Sequence, residues 1–296
     1  MQLTGVFAPI PTPFDAAGRC DTKSLGRALA KWTASRLAGF VVLGTSGEAP
    51  LVEDDEADRV VGAARDAIPR DRAFIVGAGR ESTHATVRAV KRAGTLGADA
   101  VLVRTPGMFK NQMTDAAFVA HYTAVADASP VPVLLYNFPA LTGVSLSPAA
   151  VSQLARHANI VGIKDSSGDV NQIAAFVAAA EGPFSMLAGS GSTFHAAMSA
   201  GASGGILALA CVLPEACVRL FELARARNDA AAEALQQRLL PIARLIGAVY
   251  GIPGLKAAVT LAGYEVGVPR LPLSPAPPVA VEALREALAV FEASPA

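Results

Sequence analysis

The feature that most constrains the fold is a repeated pattern in which short apolar runs alternate with segments of helical composition. The runs cover residues 6–10, 40–43, 74–76, 101–103, 131–135, 160–163, 184–187 and 205–209. The helical segments cover residues 22–35, 54–67, 83–96, 115–128, 148–156, 170–180 and 194–200, and several follow capping residues such as Asp21, Ser82, Thr114 and Ser147. A repeat of about 30 residues is typical of a βαβ crossover. The pattern therefore predicts an α/β protein with a (β/α)8 TIM barrel.

The last part of the chain departs from this repeat. Helical composition continues through residues 222–227, 230–250, 253–261 and 280–291, with Gly and Pro between these segments. We predict that residues 1–212 form the barrel and that residues 213–296 form a C-terminal helical extension packed on it, as a single structural unit. A doubly wound sheet is the alternative, but no GxGxxG motif follows the first apolar run.

Composition limits the partners and the location. Charged residues make up 17% of the chain, against roughly 25% in typical soluble domains, so we expect a homo-oligomer, either a dimer or a tetramer. The net charge is zero, and there is no basic run, which argues against nucleic-acid and membrane partners. Cys20, Cys211 and Cys217 show no CxxC spacing, which argues against disulfides and zinc. No basic leader or long apolar span is present, and we expect a cytoplasmic protein.

Lys164 is the candidate nucleophile. It directly follows the apolar run at residues 160–163 and precedes a polar turn at residues 165–168, whereas most of the other lysines lie in polar helical or loop contexts. An ammonium held against apolar strand walls loses hydration, which favours the neutral, nucleophilic amine. The alternative is a strand-end lysine that extends to solvent or pairs with Asp165.

Polar residues also follow other apolar runs, and in a barrel these strand ends meet at one mouth. They include Gly44–Glu48 (GTSGE), Arg104–Pro106, Tyr136–Pro139 and Gly189–Ser192. In the alternative interpretation, Tyr136 only bonds a backbone carbonyl, and Thr45 and Ser46 only cap a helix. The four histidines fall within or beside predicted helices, so neither a metal site nor a Ser-His-Asp triad is expected.

Three motifs carry a resemblance. GTSGE at residues 44–48, YNFPALTG at residues 136–143 and GIKDSSGD at residues 162–169 resemble the signatures of the dihydrodipicolinate synthase and N-acetylneuraminate lyase family of pyruvate-dependent lyases. Within it, the chain is most similar to the 4-hydroxy-2-oxoglutarate aldolase branch, although YNFPALTG resembles 2-keto-3-deoxy-sugar-acid aldolases.

The resemblance implies roles for individual residues. Lys164 would form a Schiff base with a 2-oxo acid such as pyruvate, Tyr136 would act as acid and base, and Thr45 would complete the proton relay. No metal or organic cofactor would be needed. The implied substrate-binding residues are Thr45, Ser46, Gly47, Ser166, Gly189, Ser190 and Ile206.

Three departures from the family pattern bear on the substrate. Leu141 stands where the synthases carry an arginine that binds the carboxylate of the aldehyde. Met108 and Phe109 replace a relay tyrosine, and Gly191 with Ser192 replaces the acidic residues of sialic-acid lyases. We therefore expect cleavage of a short 4-hydroxy-2-oxo acid, such as 4-hydroxy-2-oxoglutarate, to pyruvate and an aldehyde. The alternatives are a 2-keto-3-deoxy-sugar-acid aldolase, a 4-hydroxy-tetrahydrodipicolinate synthase of lysine biosynthesis, and a barrel that binds 2-oxo acids without useful turnover.

Overall fold

The computed structural model describes residues 1–293 and contains a closed barrel of eight parallel strands. Each strand pairs with the next in sequence, and β8 pairs with β1 through Phe7 and Ile206. The strands are β1 (Gly5–Pro9), β2 (Gly39–Val42), β3 (Ala73–Gly77), β4 (Ala100–Arg104), β5 (Val133–Asn137), β6 (Ile160–Asp165), β7 (Ser185–Ala188) and β8 (Gly204–Ile206). The predicted (β/α)8 barrel is confirmed.

Helices follow the strands as the repeat predicted, and one additional short helix, which the sequence did not predict, follows β5 at Pro139–Thr142. They are α1 (Thr22–Thr33), α2 (Asp54–Ala67), α3 (Thr83–Thr95), α4 (Asp115–Ala128), α5 (Pro139–Thr142), α6 (Pro148–Leu154), α7 (Val170–Ala179) and α8 (Phe194–Ser199). Short 3-10 helices cover Ala49–Leu51, Lys110–Gln112, Gly191–Thr193 and Ala208–Cys211. The four predicted capping residues Asp21, Ser82, Thr114 and Ser147 all accept bonds from backbone N–H groups of the first helical turn. These bonds satisfy donors that have no partner within the helix.

Three strands, β5, β6 and β8, differ from their predicted bounds by two residues or more at one or both ends, and β6 does so because it continues through Lys164 and Asp165. The run at residues 131–135 becomes β5 two residues later, because Tyr136 and Asn137 continue the ladder opposite Lys164 and Asp165. The run at residues 205–209 is shorter as a strand, since β8 ends at Ile206 and a 3-10 helix follows. Composition alone does not distinguish polar residues that pair across a β-ladder from polar residues in a turn.

The core has two layers, as the alternation of side chains along barrel strands requires. One layer lies between the strands and the helices and contains Phe40, Phe74, Phe118 and Phe176. The other fills the barrel interior with Phe7, Val41, Ile75, Leu102, Leu134, Tyr136, Leu187 and Ile206. Because the interior layer includes Tyr136, its upper end coincides with the mouth of the barrel.

The C-terminal helices pack against the barrel. They are α9 (Pro214–Arg225), α10 (Asp229–Arg244), α11 (Gly251–Leu261) and α12 (Pro278–Ala293), with a π-helical turn at Leu245–Val249. Trp32 of α1 is fully buried, stacks on Tyr264 with ring centroids 4.5 Å apart, and donates to Cys211 O at 3.0 Å. The helix predicted at residues 222–227 is too short, because α9 begins at Pro214. Within residues 1–293, every helix is too short or too polar to span a bilayer.

Candidate active site

Three polar side chains form one row across neighbouring strands at the mouth. Arg104 on β4 is the register partner of Tyr136 on β5, which is the partner of Lys164 on β6. Leu102 and Leu134, two residues earlier, belong to the interior layer. Since side chains repeat their direction every second residue, Arg104 and Tyr136 point to the interior side as well. The row therefore closes the top of the barrel core with a guanidinium, a phenol and an amine.

Lys164 is buried, with 5% of its surface exposed. Its Nζ lies 4.3 Å from the centroid of the Tyr136 ring, and within residues 1–293 no carboxylate forms an ion pair with it. Lys164 lies inside β6 and not at the strand end as predicted, because the ladder continues through Asp165. The alternative pairing with Asp165 is wrong, since that carboxylate bonds Asn137 and Ser167 instead.

Tyr136 connects Lys164 to the GTSGE loop. Its hydroxyl lies 3.0 Å from Thr45 Oγ1, and only 3% of the residue is exposed. The alternative in which Tyr136 bonds a backbone carbonyl is wrong, although Tyr122 does make such a bond to Val103 O at 3.1 Å. The amine, the phenol and the threonine hydroxyl thus form a continuous series of contacts.

The GTSGE loop after β2 is a tight turn. Gly47 N donates to Gly44 O at 3.1 Å and Glu48 N to Thr45 O at 3.0 Å. A Cβ on Gly47 would lie 2.9 Å from Leu43 N, so this position requires glycine. Thr45 and Ser46 do not cap a helix, because the N-caps nearby are Glu48 and Glu53.

The backbone N–H groups of Thr45 and Ser46 donate to no acceptor among residues 1–293. Ser46 is also buried, at 7% exposure. Successive backbone amides without protein acceptors form a concavity suited to an anion.

A buried network of ion pairs and hydrogen bonds holds Glu48, the last residue of the GTSGE loop. Glu48 Oε1 lies 2.7 Å from Lys256 Nζ on α11, and the two side chains are 0% and 1% exposed. Arg270 N donates to Glu48 Oε2 at 2.8 Å, and the Arg270 guanidinium donates to both oxygens of Glu56 at 2.5 and 2.7 Å. The prediction that most lysines other than Lys164 lie in polar contexts does not extend to Lys256, because α11 packs it against Glu48 and the Phe14 ring.

A second buried pair joins the ends of β5 and β6. Asn137 Nδ2 donates to Asp165 Oδ1 at 2.7 Å, and Asn137 Oδ1 accepts from Leu146 N at 3.0 Å. Burial raises the pKa of the Asp165 carboxyl, against the opposing hydrogen bonds from Ser167 and Asn137. Sequence reasoning had placed Asp165 in a turn and assigned Asn137 no contact. Their adjacency to Tyr136 and Lys164 was the only available signal.

The remaining predicted substrate-binding residues lie on the β6, β7 and β8 side. Ser166 and Gly189 are in close contact, since a Cβ on Gly189 would overlap Ser166 Oγ. Ser190 precedes the 3-10 helix at Gly191–Thr193. The Ile206 side chain is fully buried in the barrel interior.

A cavity of about 790 Å³ opens over the other side of the mouth. Thr45, Tyr136 and Leu141 contribute to its lining, and Lys164 contacts the ring of Tyr136. Sequence reasoning missed several other lining residues, namely Arg80, Glu81, Lys110 and Thr142. Within residues 1–293, no three His, Cys, Asp or Glu side chains are grouped as metal ligands would be.

Comparison with known proteins assigns the chain to a family. Residues 2–290 match the dihydrodipicolinate synthetase family. The chain is 36% identical to the 4-hydroxy-tetrahydrodipicolinate synthase of an Exiguobacterium species over 98% of each chain. It is 35% identical to the synthase of Stenotrophomonas maltophilia over 99% of each. Both relatives are named as 4-hydroxy-tetrahydrodipicolinate synthases, a function that the sequence left as an alternative. The similarity of the chain to the 4-hydroxy-2-oxoglutarate aldolase branch therefore stays a prediction.

Solved structures agree with the fold throughout the chain. The dihydrodipicolinate synthase of Thermotoga maritima superposes with a TM-score of 0.94 at 31% identity, over 99% of each chain. YagE of E. coli K12, a family member determined in complex with pyruvate, gives a TM-score of 0.92 at 28% identity over 98% of this chain and 99% of YagE. The chain therefore belongs to the dihydrodipicolinate synthetase family and is a carbon–carbon lyase of the class I aldolase type.

Proposed function

We propose that the protein cleaves a short 4-hydroxy-2-oxo acid, such as 4-hydroxy-2-oxoglutarate, to pyruvate and an aldehyde through a Schiff base on Lys164. The observation that carries the proposal is the contact series from the buried Lys164 amine through Tyr136 to Thr45. An amine without a carboxylate partner is available to attack a ketone carbon, and the neighbouring phenol can transfer protons. This chemistry needs no metal or organic cofactor.

The reaction follows from these positions. Lys164 Nζ adds to the C2 carbonyl of the substrate, and loss of water gives an iminium. Removal of the proton from the 4-hydroxyl then breaks the C3–C4 bond, releases the aldehyde and leaves an enamine. Protonation of the enamine and hydrolysis return pyruvate and the free amine. Tyr136 exchanges protons at the carbinolamine and at the 4-hydroxyl, and Thr45 carries them onward through its 3.0 Å contact.

The backbone amides of the GTSGE loop support the binding of a 2-oxo acid. The N–H groups of Thr45 and Ser46, which have no acceptor among residues 1–293, and the Ser46 hydroxyl are the donors that we propose for the substrate's C1 carboxylate. Gly47 keeps the turn tight. Ser166, Gly189, Ser190 and Ile206 are proposed to border the substrate on the opposite side of the mouth.

The loss of the synthase arginine favours cleavage over the synthase reaction, because the synthases bind the carboxylate of their aldehyde through that residue. Leu141, at the position of the synthase arginine, is 62% exposed and offers no hydrogen-bond donor from its side chain. The synthase remains the second candidate, because the relatives at 35–36% identity over nearly the whole chain carry that name.

Trapping tests the Schiff base. The protein is incubated with pyruvate, reduced with borohydride and mapped by peptide mass spectrometry. We expect an adduct on Lys164 that is absent from Lys164→Ala. The buried Lys256, which is paired with Glu48, serves as the internal control and should stay unmodified. Absence of an adduct on Lys164 would refute the mechanism.

A substrate panel tests the reaction. Pyruvate release from 4-hydroxy-2-oxoglutarate and 2-keto-3-deoxygluconate is compared with condensation of pyruvate and aspartate semialdehyde, measured with a coupled dihydrodipicolinate reductase. We expect cleavage of 4-hydroxy-2-oxoglutarate to be fastest. Faster condensation would establish the synthase, and an adduct without turnover of any substrate would establish a binding protein.

Assembly and location are part of the proposal. Met108 and Phe109, each 72% exposed, are large apolar side chains on the loop after β4. Together with the low charged content, they favour a homo-oligomer in which a second copy covers this loop. Light scattering after size exclusion tests it, and a monomer at micromolar concentration would contradict it. The cytoplasmic location expected from the sequence also stays a prediction.

A further inference from the structure

The direction of the Arg104 side chain follows from the sheet register. Arg104 occupies the same row as Tyr136 and Lys164 and follows Leu102 of the interior layer by two residues. With neighbouring strands about 4.8 Å apart, its backbone lies about 10 Å from that of Lys164. That separation matches two long side chains which reach opposite ends of one small substrate.

Gly79 provides the space for this side chain. A Cβ at Gly79 would lie 2.8 Å from Arg104 Cγ and 2.6 Å from Arg104 N, so a larger residue would displace the arginine. The Arg104 side chain is 26% exposed and lines the 790 Å³ cavity together with Tyr136 and Leu141. The guanidinium is therefore at the cavity wall and partly withdrawn from solvent.

Glu81 holds one part of this guanidinium. Arg104 Nη1 donates to Glu81 Oε1 at 2.6 Å and to Thr105 O at 3.3 Å. Glu81 Oε2 accepts from Gly107 N at 3.0 Å and from Met108 N at 2.9 Å. Burial opposes ionisation of Glu81, but the bonds from Met108 N, Arg104 and Gly107 N outweigh it and lower the pKa of the carboxyl.

This arrangement leaves part of the guanidinium for a ligand. Arg104 Nε and Nη2 donate to no acceptor among residues 1–293. A guanidinium whose orientation is fixed loses less freedom when it binds a planar carboxylate through two parallel bonds. Arg80 lines the same cavity, but it is engaged by Asp54 at 3.3 Å.

We propose that Arg104 determines substrate specificity by binding a distal carboxylate of the substrate. The inference rests on the proposed function and names its substrate class: five-carbon 2-oxo dicarboxylates. Arg104 supplies from β4 the donor that Leu141 does not supply from α5.

The test compares two substrates of equal length, 4-hydroxy-2-oxoglutarate and 4-hydroxy-2-oxopentanoate, which ends in a methyl group. For Arg104→Gln, we expect KM for the dicarboxylate to rise about 10- to 100-fold, as the loss of a charge-assisted bond predicts. Cleavage of the methyl substrate should change less than about threefold. Arg104→Lys should retain part of the preference for the dicarboxylate, because an ammonium keeps the positive charge but cannot form the two parallel hydrogen bonds of a guanidinium.

Matched variants distinguish a role of Arg104 in substrate binding from a role in maintaining the structure. Arg80→Gln removes a cation of similar exposure from the same cavity and should leave the dicarboxylate preference unchanged. Equal losses on both substrates in Arg104→Gln would overturn the proposal in favour of a structural role. A selective loss in Lys110→Met but not in Arg104→Gln would assign the site to Lys110 instead.

A direct binding measurement tests the role of Arg104 independently of the aldolase mechanism. Calorimetry measures 2-oxoglutarate against 2-oxopentanoate in wild type and Arg104→Gln. We expect wild type to prefer 2-oxoglutarate and the variant to lose that preference. If this holds while borohydride traps no adduct on Lys164, the carboxylate site stands and the aldolase mechanism fails. If the adduct forms but no preference exists, the assignment of Arg104 fails alone.

Discussion

Replacement of Lys256 by methionine should strongly destabilise the protein. Lys256 Nζ lies 2.7 Å from Glu48 Oε1, donates to Val268 O at 3.0 Å and contacts the Phe14 ring at 4.3 Å from its centroid. Both charged side chains are almost completely buried. Methionine preserves the packing of the stem but leaves the Glu48 carboxylate in the interior without its cation.

The expected magnitude follows from that burial. Removal of one partner of a buried ion pair typically lowers the free energy of unfolding by about 3 to 5 kcal/mol. At about 2 to 4 °C per kcal/mol for a large domain, the melting temperature should fall by about 6 to 20 °C. The double variant Glu48→Gln with Lys256→Met should recover much of this loss, because no uncompensated charge then remains in the interior.

Urea unfolding followed by tryptophan fluorescence measures these effects. Trp32 is the single tryptophan of the chain and is fully buried against Tyr264, so its emission reports the contact between α1 and the C-terminal extension. Lys91→Met, at an exposed position of α3, is the matched control and should change stability by less than about 0.5 kcal/mol. If the double variant were as unstable as Lys256→Met, lost packing and not the unpaired Glu48 carboxylate would explain the lower stability. That result would refute the prediction.

Three further predictions concern the site and the ion network. Lys164→Ala should abolish turnover while the urea midpoint stays near that of wild type; retention of more than a small fraction of the rate would exclude the Schiff base. Tyr136→Phe should lower kcat by about two to four orders of magnitude, and an unchanged kcat in a stopped assay would transfer the proton role to Thr45 or solvent. The hydrogen bonds from Arg270 lower the pKa of Glu56 from 4.5 to about 2, so its contribution is complete above pH 4.5 and is lost as the pH falls through 2. The stability difference between wild type and Glu56→Gln should therefore shrink between pH 5 and pH 2; a constant difference in urea midpoints would contradict this.

The fold was largely predictable because its signals are local. Apolar runs of strand length and segments with capping residues such as Ser82 and Ser147 repeat along the chain, and each cap observed depends on neighbours within three residues. Tyr136 was the exception, since its place within β5 depends on pairing with Lys164 on another strand. The composition of a segment does not show which residues it will pair with on another strand.

The sequence alone predicted the barrel and brought Lys164, Tyr136 and Thr45 to one mouth, because strand ends of a parallel barrel meet there whatever the details of packing. The catalytic roles of these three residues are what the family resemblance implies. Only the tertiary structure decided that Arg104 points to the interior side, since side-chain direction depends on register with neighbouring strands. It also decided that Lys256 is buried against Glu48. A lysine in a helical sequence is hydrated or enclosed according to what distant segments place over it, and that information lies in the closed fold.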